Sequence, residues 1–317
     1  MLKDRHLYHP GAQVTVHLLD DTTTEGRLLY HQEHYGVAFF KVAVDGRVQL
    51  TSFADTVNTG QKVLRLGREE NLNLRITHGK VKLDEEQLGE GHHHNMYFYP
   101  DEKYEEEETE ERQRMWRGKG VYIPRCDDDG EPVIDFDGKV VGMINCSESG
   151  SFVPSSILNN CMYLWRNFGY TFSFGFIAML ADAFFVHPSA HLGLQCEALK
   201  CLDPIHAEYI WRKLNIDDGL VVKEVSIGSH AEKVGIRVGD IIECIDGERI
   251  STTIELENKL LSICMGTFDR GNDINAKVDV SVIFHTANHV WRTKQLTVNL
   301  SDHREVVEGG ITLFFST

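Results

Sequence analysis

The chain has 317 residues, which is enough for two domains of ordinary size, each with its own hydrophobic core. Its 42% hydrophobic and 25% charged residues are typical of a soluble globular protein. Because 48 acidic residues face only 32 basic ones, the formal charge of −16 argues against a general affinity for the phosphate backbone of DNA or RNA.

The first part of the chain consists of short apolar stretches separated by turns. The predicted strands cover residues 14–18, 26–30, 37–42, 62–66 and 80–83. Strands at this spacing, without long helical periods between them, indicate an antiparallel barrel or sandwich.

Residues 89–119 differ in composition from what surrounds them. They carry His92, His93 and His94, then a run of acidic residues, then three arginines. With so few aliphatic side chains the segment cannot bury itself, so it is predicted to be an exposed acidic insert.

A hairpin and a helix follow the insert. Apolar stretches at 133–136 and 140–144 are joined by a D-G pair, which is a strong turn signal. Apolar residues then recur at helical spacing up to Gly169. Residues 170–187 are predicted to be a linker, because the apolar stretch 170–186 is too short, and too interrupted by Asp182, for a membrane span.

The last part of the chain, residues 188–302, mixes strands with short helices. Strands are predicted at 219–225, 239–245, 278–284 and 295–300, with a helical turn at 229–235 and a helix at 254–263. Residues 303–317 are predicted to be a C-terminal tail.

Three segments of the first part carry a family resemblance. Residues 6–16 read HLYHPGAQVTV, residues 36–41 read GVAFFK, and residues 127–133 read DDDGEPV ahead of the D-G turn. On these segments and the last part, the chain resembles the HtrA (Do-like, DegP-type) serine protease family, its plant-like branch in particular. The resemblance implies a mostly β fold, with a trypsin-like double β-barrel in residues 1–169 and an α+β PDZ domain in residues 188–302.

The resemblance also assigns three catalytic positions. His6 stands in the place of the catalytic histidine, Gly36 in that of the aspartate, and Asp129 in that of the nucleophilic serine. A carboxylate is a poor nucleophile toward amides and repels the developing oxyanion, while glycine leaves the histidine without an orienting partner. No intact catalytic set is therefore expected, and the first domain is predicted to be a pseudoprotease.

The start of the chain leaves two questions open. His6 is either a relic of the catalytic histidine or a surface histidine near the end of the chain. The family has further strands before this point, so the first barrel is expected to be incomplete, as in a shortened gene product or an incomplete gene model. Such a barrel has either an exposed edge or a substitute partner strand.

Two clusters of side chains offer atoms that can bind a metal. Asp127, Asp128 and Asp129 offer oxygen ligands, but consecutive carboxylates point in different directions. The three adjacent histidines seldom supply a tetrahedral set, and no cysteine lies near them. Neither cluster is predicted to hold a metal, and no cofactor motif is found.

The seven cysteines suggest a compartment. Their number is odd and no two of them form a C-x-x-C pair, which suits reduced thiols better than a disulfide framework. No secretory signal is visible in residues 1–10. An intracellular location, cytoplasmic or nuclear, is the expectation.

PDZ domains bind a peptide as an added strand, with backbone N–H groups holding its terminal carboxylate. The resemblance implies that His191, Leu192, Gly193 and Leu194 form this carboxylate loop. Gly193 lets the backbone approach closely. The two leucines are either walls of the groove or ordinary core residues.

The second wall of the groove is expected on the helix at 254–261. Ile254 and either Glu257 or Asn258 are the candidates for contacting a ligand side chain. The segment 197–214 adds a helix to this PDZ domain, which leaves both the coverage of the groove and the ligand class open.

These observations predict a protease-like pseudoenzyme that binds protein segments or C-termini as an adaptor or holding factor in protein quality control. One alternative is an active HtrA-type serine endopeptidase, and another is a decayed product without robust activity. No nucleic acid or membrane partner is expected, and a homo-oligomer is left open.

Overall fold

The structure is a computed structural model that describes residues 13–18, 22–32, 34–45, 48–68, 73–83, 96–101, 129–146, 150–176, 185–186, 189–270, 277–286 and 290–301. The chain divides into two compact units, and their described residues lie up to Val186 in the first and after His187 in the second.

Ten strands and one helix are described in the first unit. In chain order they are β1 (Gln13–His17), β2 (Thr23–Gln32), β3 (Val37–Val42), β4 (Lys62–Arg68), β5 (Leu74–Lys82), β6 (Met96–Pro100), β7 (Pro132–Ile134), β8 (Val140–Cys146), β9 (Ser151–Pro154), α1 (Ser155–Phe176) and β10 (Phe185–Val186). The five strands predicted before the insert and the two of the hairpin all lie within or overlap these elements.

The first sheet has four strands and is open among the described residues. β1 and β3 pair antiparallel with opposite edges of β2, and β10 pairs parallel with β2 next to Tyr30 and His31. β3 also pairs with Tyr30 and His31, so β10 must lie on the opposite edge of β2. This is the edge that β1 occupies at the other end of β2. The segment predicted as a linker thus contributes a substitute partner strand to the first sheet.

The second sheet is a closed six-stranded barrel with the order β4-β5-β6-β9-β8-β7. Side chains alternate between buried and less buried positions along β4, as expected for strands with one face on the core. The barrel interior is apolar, and Val63, Val133, Val141 and Phe152 have no exposed surface.

The structure corrects the prediction that residues 89–119 are exposed throughout. Residues Met96 to Pro100 form β6, which joins β5 to β9 in the barrel, and Met96, Tyr97 and Phe98 are buried. The average composition of the insert concealed five apolar and aromatic residues between the histidines and the acidic run. The histidines and residues 102–119 lie outside the described residues.

α1 begins where predicted and extends past Gly169 to Phe176. Ile157, Cys161 and Leu164 recur at helical spacing and are fully buried. Trp165 meets Phe39 of β3 edge to face, so the helix packs on the first sheet. Among the helices that the structure describes, none combines the length and the hydropathy that crossing a membrane requires.

The second unit contains mixed elements. In chain order they are β11 (Ser189–His191), β12 (Leu194–Ala198), a 3-10 turn (Leu199–Cys201), α2 (Pro204–Leu214), β13 (Leu220–Val225), α3 (His230–Val234), β14 (Ile241–Ile245), β15 (Glu248–Arg249), α4 (Thr253–Asp269), β16 (Lys277–His285) and β17 (Trp291–Ser301). The predicted strands and helices of this part overlap β13, α3, β14, α4, β16 and β17.

The strands of the second unit form one curled sheet. Its order is β11-β17-β16-β14-β13-β12, with β15 paired to β14. Its two terminal strands, β11 and β12, are joined by only Leu192 and Gly193. A link this short brings the two ends of the sheet together, so the sheet is a partly open barrel.

The helix α2 is the element that the segment 197–214 adds. Asp203 caps its first turn by accepting a hydrogen bond from the Ile205 amide at 2.8 Å, and Pro204 opens the helix. Ile210 and Leu214 pack on a core cluster of Leu199, Ile216, Val221 and Ile241. The helix therefore covers this cluster, which includes none of the residues predicted for the groove.

Candidate peptide-binding site

The structure describes two of the three family catalytic positions. Gly36 is exposed, with φ of +65°, in the tight turn between β2 and β3. Asp129 lies in the turn before β7 and is partly buried. His6 lies outside the described residues, so its two interpretations both stay open.

The residue that follows this turn has an unexpected environment. Glu131 takes the place of the last glycine in the family nucleophile motif G-N-S-G-G-P, and its Oε2 accepts a hydrogen bond from Nε of Arg65 at 2.5 Å. Its Oε1 lies 3.1 Å from Nη2 of Arg75. Arg65 is only 1% exposed, so this carboxylate compensates a buried charge.

The backbone around Glu131 is also fixed. Gly130, with φ of +94°, donates its N–H to the Ile144 carbonyl, and Ile144 donates in turn to the Glu131 carbonyl. A Cβ at Gly67 would collide with the Glu131 carboxylate. The segment that carries a nucleophile in the family is thus tied into the barrel wall here.

The loop between β11 and β12, predicted as the carboxylate loop, requires glycine at its second position. Gly193 has φ of +72°, and a Cβ built on it would lie 2.7 Å from Cβ of Ser229. Its carbonyl accepts a hydrogen bond from the Ser226 amide at 2.9 Å. Only glycine fits this position without strain, because both the conformation and the contact exclude a side chain.

The two leucines of the loop are almost fully buried. Leu192 is 4% and Leu194 is 5% exposed, so both side chains belong to the apolar interior of the domain. His191, at the end of β11, is partly exposed. The loop backbone therefore lies at the edge of β12, and its two leucine side chains pack into the interior of the domain.

The edge of β12 is the place where a strand can be added. In the described part of the chain β12 pairs with β13 on one side only, and α4 contacts both β11 and β12. A terminal strand beside a helix forms a groove with unused backbone groups along one wall. This arrangement can bind an extended peptide.

The residues of α4 divide between the core and the groove. Leu256, Glu257, Leu260 and Cys264 recur on the buried side, and Glu257 is only 2% exposed. Ile254 and Asn258 are half-buried. Of the two polar candidates, Asn258 is the one that a ligand can reach.

Several residues that shape the site were not predicted from the sequence. Ser226 and Ser229 support Gly193, and the Ser229 hydroxyl also caps α3 by accepting from the Glu232 amide. Burial raises the pKa of the Cys264 thiol to about 12, so this side chain behaves as an apolar residue on the buried side of α4. The S-x-x-E capping pattern at 229–232 was the one signal in the sequence.

No three His, Cys, Asp or Glu side chains come close enough to hold a metal in the part of the chain that the structure describes. Of the two clusters considered in the sequence, the three histidines 92–94 lie outside that part. So do residues 127 and 128 of the aspartate cluster.

The second unit and the first together define a protein class: a trypsin-like β-barrel unit followed by a PDZ domain. A family model described as PDZ domain matches residues 221–262, which span β13 to α4. A comparison with curated proteins found no match.

Solved structures of HtrA-type proteases are similar to this chain over 91% of its length. The HtrA-type protease AlgW with tripeptide has a TM-score of 0.50 and 17% identity, covering 91% of this chain and 81% of AlgW. AlgW with decapeptide has a TM-score of 0.48 and 17% identity, covering 91% of this chain and 74% of AlgW. A serine endoprotease from Yersinia pestis has a TM-score of 0.42 and 14% identity, covering 91% of this chain and 80% of the endoprotease. The resemblance to HtrA-type proteases is confirmed for the fold, and the plant-like branch remains a prediction.

Proposed function

We propose that the chain is a catalytically inactive HtrA-like protease homologue that binds protein segments or C-termini in its PDZ groove, as an adaptor or holding factor in protein quality control. The observation that carries the proposal is the combination of Gly193 at the end of the open β12 edge with α4 opposite. One similar structure is that of AlgW with a tripeptide, which agrees with a peptide as the ligand.

The proposed inactivity rests on the family positions. Asp129 replaces the serine and brings a negative charge to the place where an oxyanion develops, and Gly36 replaces the aspartate. Glu131 in addition replaces a glycine of the nucleophile motif and is held by Arg65 and Arg75. An active endopeptidase would need a nucleophile elsewhere. An intracellular location remains part of the proposal.

A peptide-binding measurement tests the groove. A peptide array selects ligands for the full chain, and fluorescence polarisation then compares each ligand with its C-terminally amidated form. Gly193→Ala is expected to weaken binding by at least about tenfold, because a side chain at φ of +72° against Ser229 displaces the loop.

Two further variants separate a local effect from misfolding. Gly266→Ala is the matched control, since a Cβ there meets only the tip of Arg270 at 3.8 Å, and its affinity is expected to stay unchanged. Ile254→Lys alters the half-buried helix wall without touching the core and is expected to change affinity. Equal affinities for the wild type, Gly193→Ala and Ile254→Lys would refute the groove.

A further inference from the structure

The second unit contains a cavity of about 210 Å³ that none of the predicted groove residues line. Residues 214–218, at the end of α2 and in the following loop, form one side. Glu243, Arg249, His285 and Trp291, from four different strands, form the other. The cavity therefore combines carboxylates, an aromatic face and a guanidinium on a rigid sheet.

Glu243, on the strand side of the cavity, already binds a cationic side chain of the protein itself. Its Oε1 accepts a hydrogen bond from Nη2 of Arg249 at 2.8 Å, and its Oε2 lies 3.1 Å from Nε2 of His285. His285 is buried and faces Trp291 across the β16–β17 ladder, with ring centroids 3.8 Å apart. A guanidinium of the chain itself already rests on this carboxylate, while the Arg249 side chain is 74% exposed.

Two other groups of the cavity are available to a ligand. Asp217 is exposed and has no hydrogen-bonding partner within the described residues, although its charge acts on Arg249. Trp291 is 58% exposed, so much of its indole faces solvent. Asp218 is already engaged by the Ser251 hydroxyl and the Gly219 amide. Three carboxylates thus stand against one guanidinium, and the cavity favours a positive charge.

We propose that this cavity is a second binding site of the domain, which receives the guanidinium group of an arginine side chain in a partner protein. The indole of Trp291 supplies a cation–π face and Asp217 supplies the counter-charge. The site is independent of peptide binding in the groove, so either can exist without the other.

The test follows the indole N–H signal of Trp291 by NMR in the full chain with ¹⁵N-labelled tryptophan, assigned with Trp291→Phe. The probe is the blocked peptide acetyl-Ala-Arg-Ala-amide, which has no free carboxylate for the groove. Its match is the same peptide with citrulline, which keeps the shape and lacks the charge. A saturable shift with arginine, and little or none with citrulline, is expected. Equal shifts with the two peptides would overturn the proposal.

Variants then identify the contacts. Asp217→Asn is expected to weaken arginine binding by about threefold, in the range of an exposed ion pair. Asp269→Asn removes one exposed carboxylate of α4, outside the cavity, and is expected to leave binding unchanged. Arg249→Ala frees Glu243 for the ligand and is expected to tighten binding. Equal effects of the two Asp→Asn variants, or weaker binding by Arg249→Ala, would contradict the site.

Binding in the groove provides the last control. Gly193→Ala is expected to leave the arginine-induced shift of Trp291 unchanged, since Gly193 does not line the cavity. Loss of the shift in this variant would mean that the probe binds in the groove, and the cavity proposal would fall while the groove proposal stands.

Discussion

Glu131 and Asp129 bring two carboxylates to a turn that in HtrA-type sequences carries a serine between small residues. The Glu131 carboxylate is held by Arg65 inside the barrel and by Arg75 at its edge. Changing Asp129 alone to serine would leave this tether in place. Glu131, two residues after the family serine position, thus has a structural role as the partner of two arginines.

Neutralising Glu131 is expected to destabilise the first unit. Glu131→Gln keeps the shape of the side chain and leaves the buried Arg65 without its counter-charge, which costs about 3–5 kcal/mol for a buried pair. Urea unfolding of the full chain measures the loss. The control is Glu208→Gln, which breaks the exposed Glu208–Arg212 pair on α2 and is expected to cost about 1 kcal/mol or less. Equal shifts of the midpoint would show that Arg65 does not depend on Glu131.

The described cysteines are expected to differ in reactivity. Burial raises the pKa of the thiols of Cys161 and Cys264 to about 12, so both stay protonated and shielded in the folded protein. Cys201 is partly exposed. Iodoacetamide at pH 8, with peptide mass spectrometry, is expected to label Cys201 well before the two buried thiols, and all three alike in urea. Fast labelling of native Cys161 would contradict the burial.

The same thiols affect the dependence of stability on pH. Their folded-state pKa is raised above the usual 9.0, so the stability that they contribute is complete below about pH 9. It is lost as the pH rises from 9 toward 12, because the unfolded chain then releases protons that the folded chain keeps.

At the scale of elements, α2 distinguishes this PDZ unit. Its Leu214 packs on the core cluster that contains Ile216 and Val221, while Tyr209 is 62% exposed. Leu214→Ala is expected to lower the free energy of unfolding by about 1–3 kcal/mol, since the side chain is partly buried. Tyr209→Ala is expected to change it by less than about 0.5 kcal/mol. Thermal unfolding compares the two, and a larger loss with Tyr209→Ala would mean that α2 packs differently.

Elements with strong local signals could be predicted from the sequence, and those that depend on distant partners could not. The D-G turn between β7 and β8 and the alternation in β16 are local patterns, so both were found. β6 was missed because its five residues are flanked by polar stretches. β10 was missed because its partner is β2, more than 150 residues earlier.

Site residues followed the same rule. Gly193 could be named because the segment 191–194 resembles the family's carboxylate-loop pattern, and its role in peptide binding stays a prediction. Glu257 and Asn258 were alternative candidates for a ligand contact, because no spacing in the sequence distinguished them, and the packing of α4 buries Glu257. The tether of Glu131 was missed because Arg65 and Arg75 lie 66 and 56 residues away.

At the scale of the whole molecule, the chain joins a barrel unit with Gly36 and Asp129 at two family catalytic positions to a PDZ unit whose strand β12 is paired on one side only among the described residues. A protein with these two properties is expected to retain a bound segment without cutting it. On this proposal, recognition depends on the second unit.

The most direct test is to incubate the purified chain with a polypeptide that its groove binds and to follow the polypeptide by mass spectrometry. The account predicts that the ligand stays bound and is recovered intact, with no adduct from a covalent serine-protease inhibitor. Cleavage of the ligand by the wild type, lost on Asp129→Asn, would contradict it.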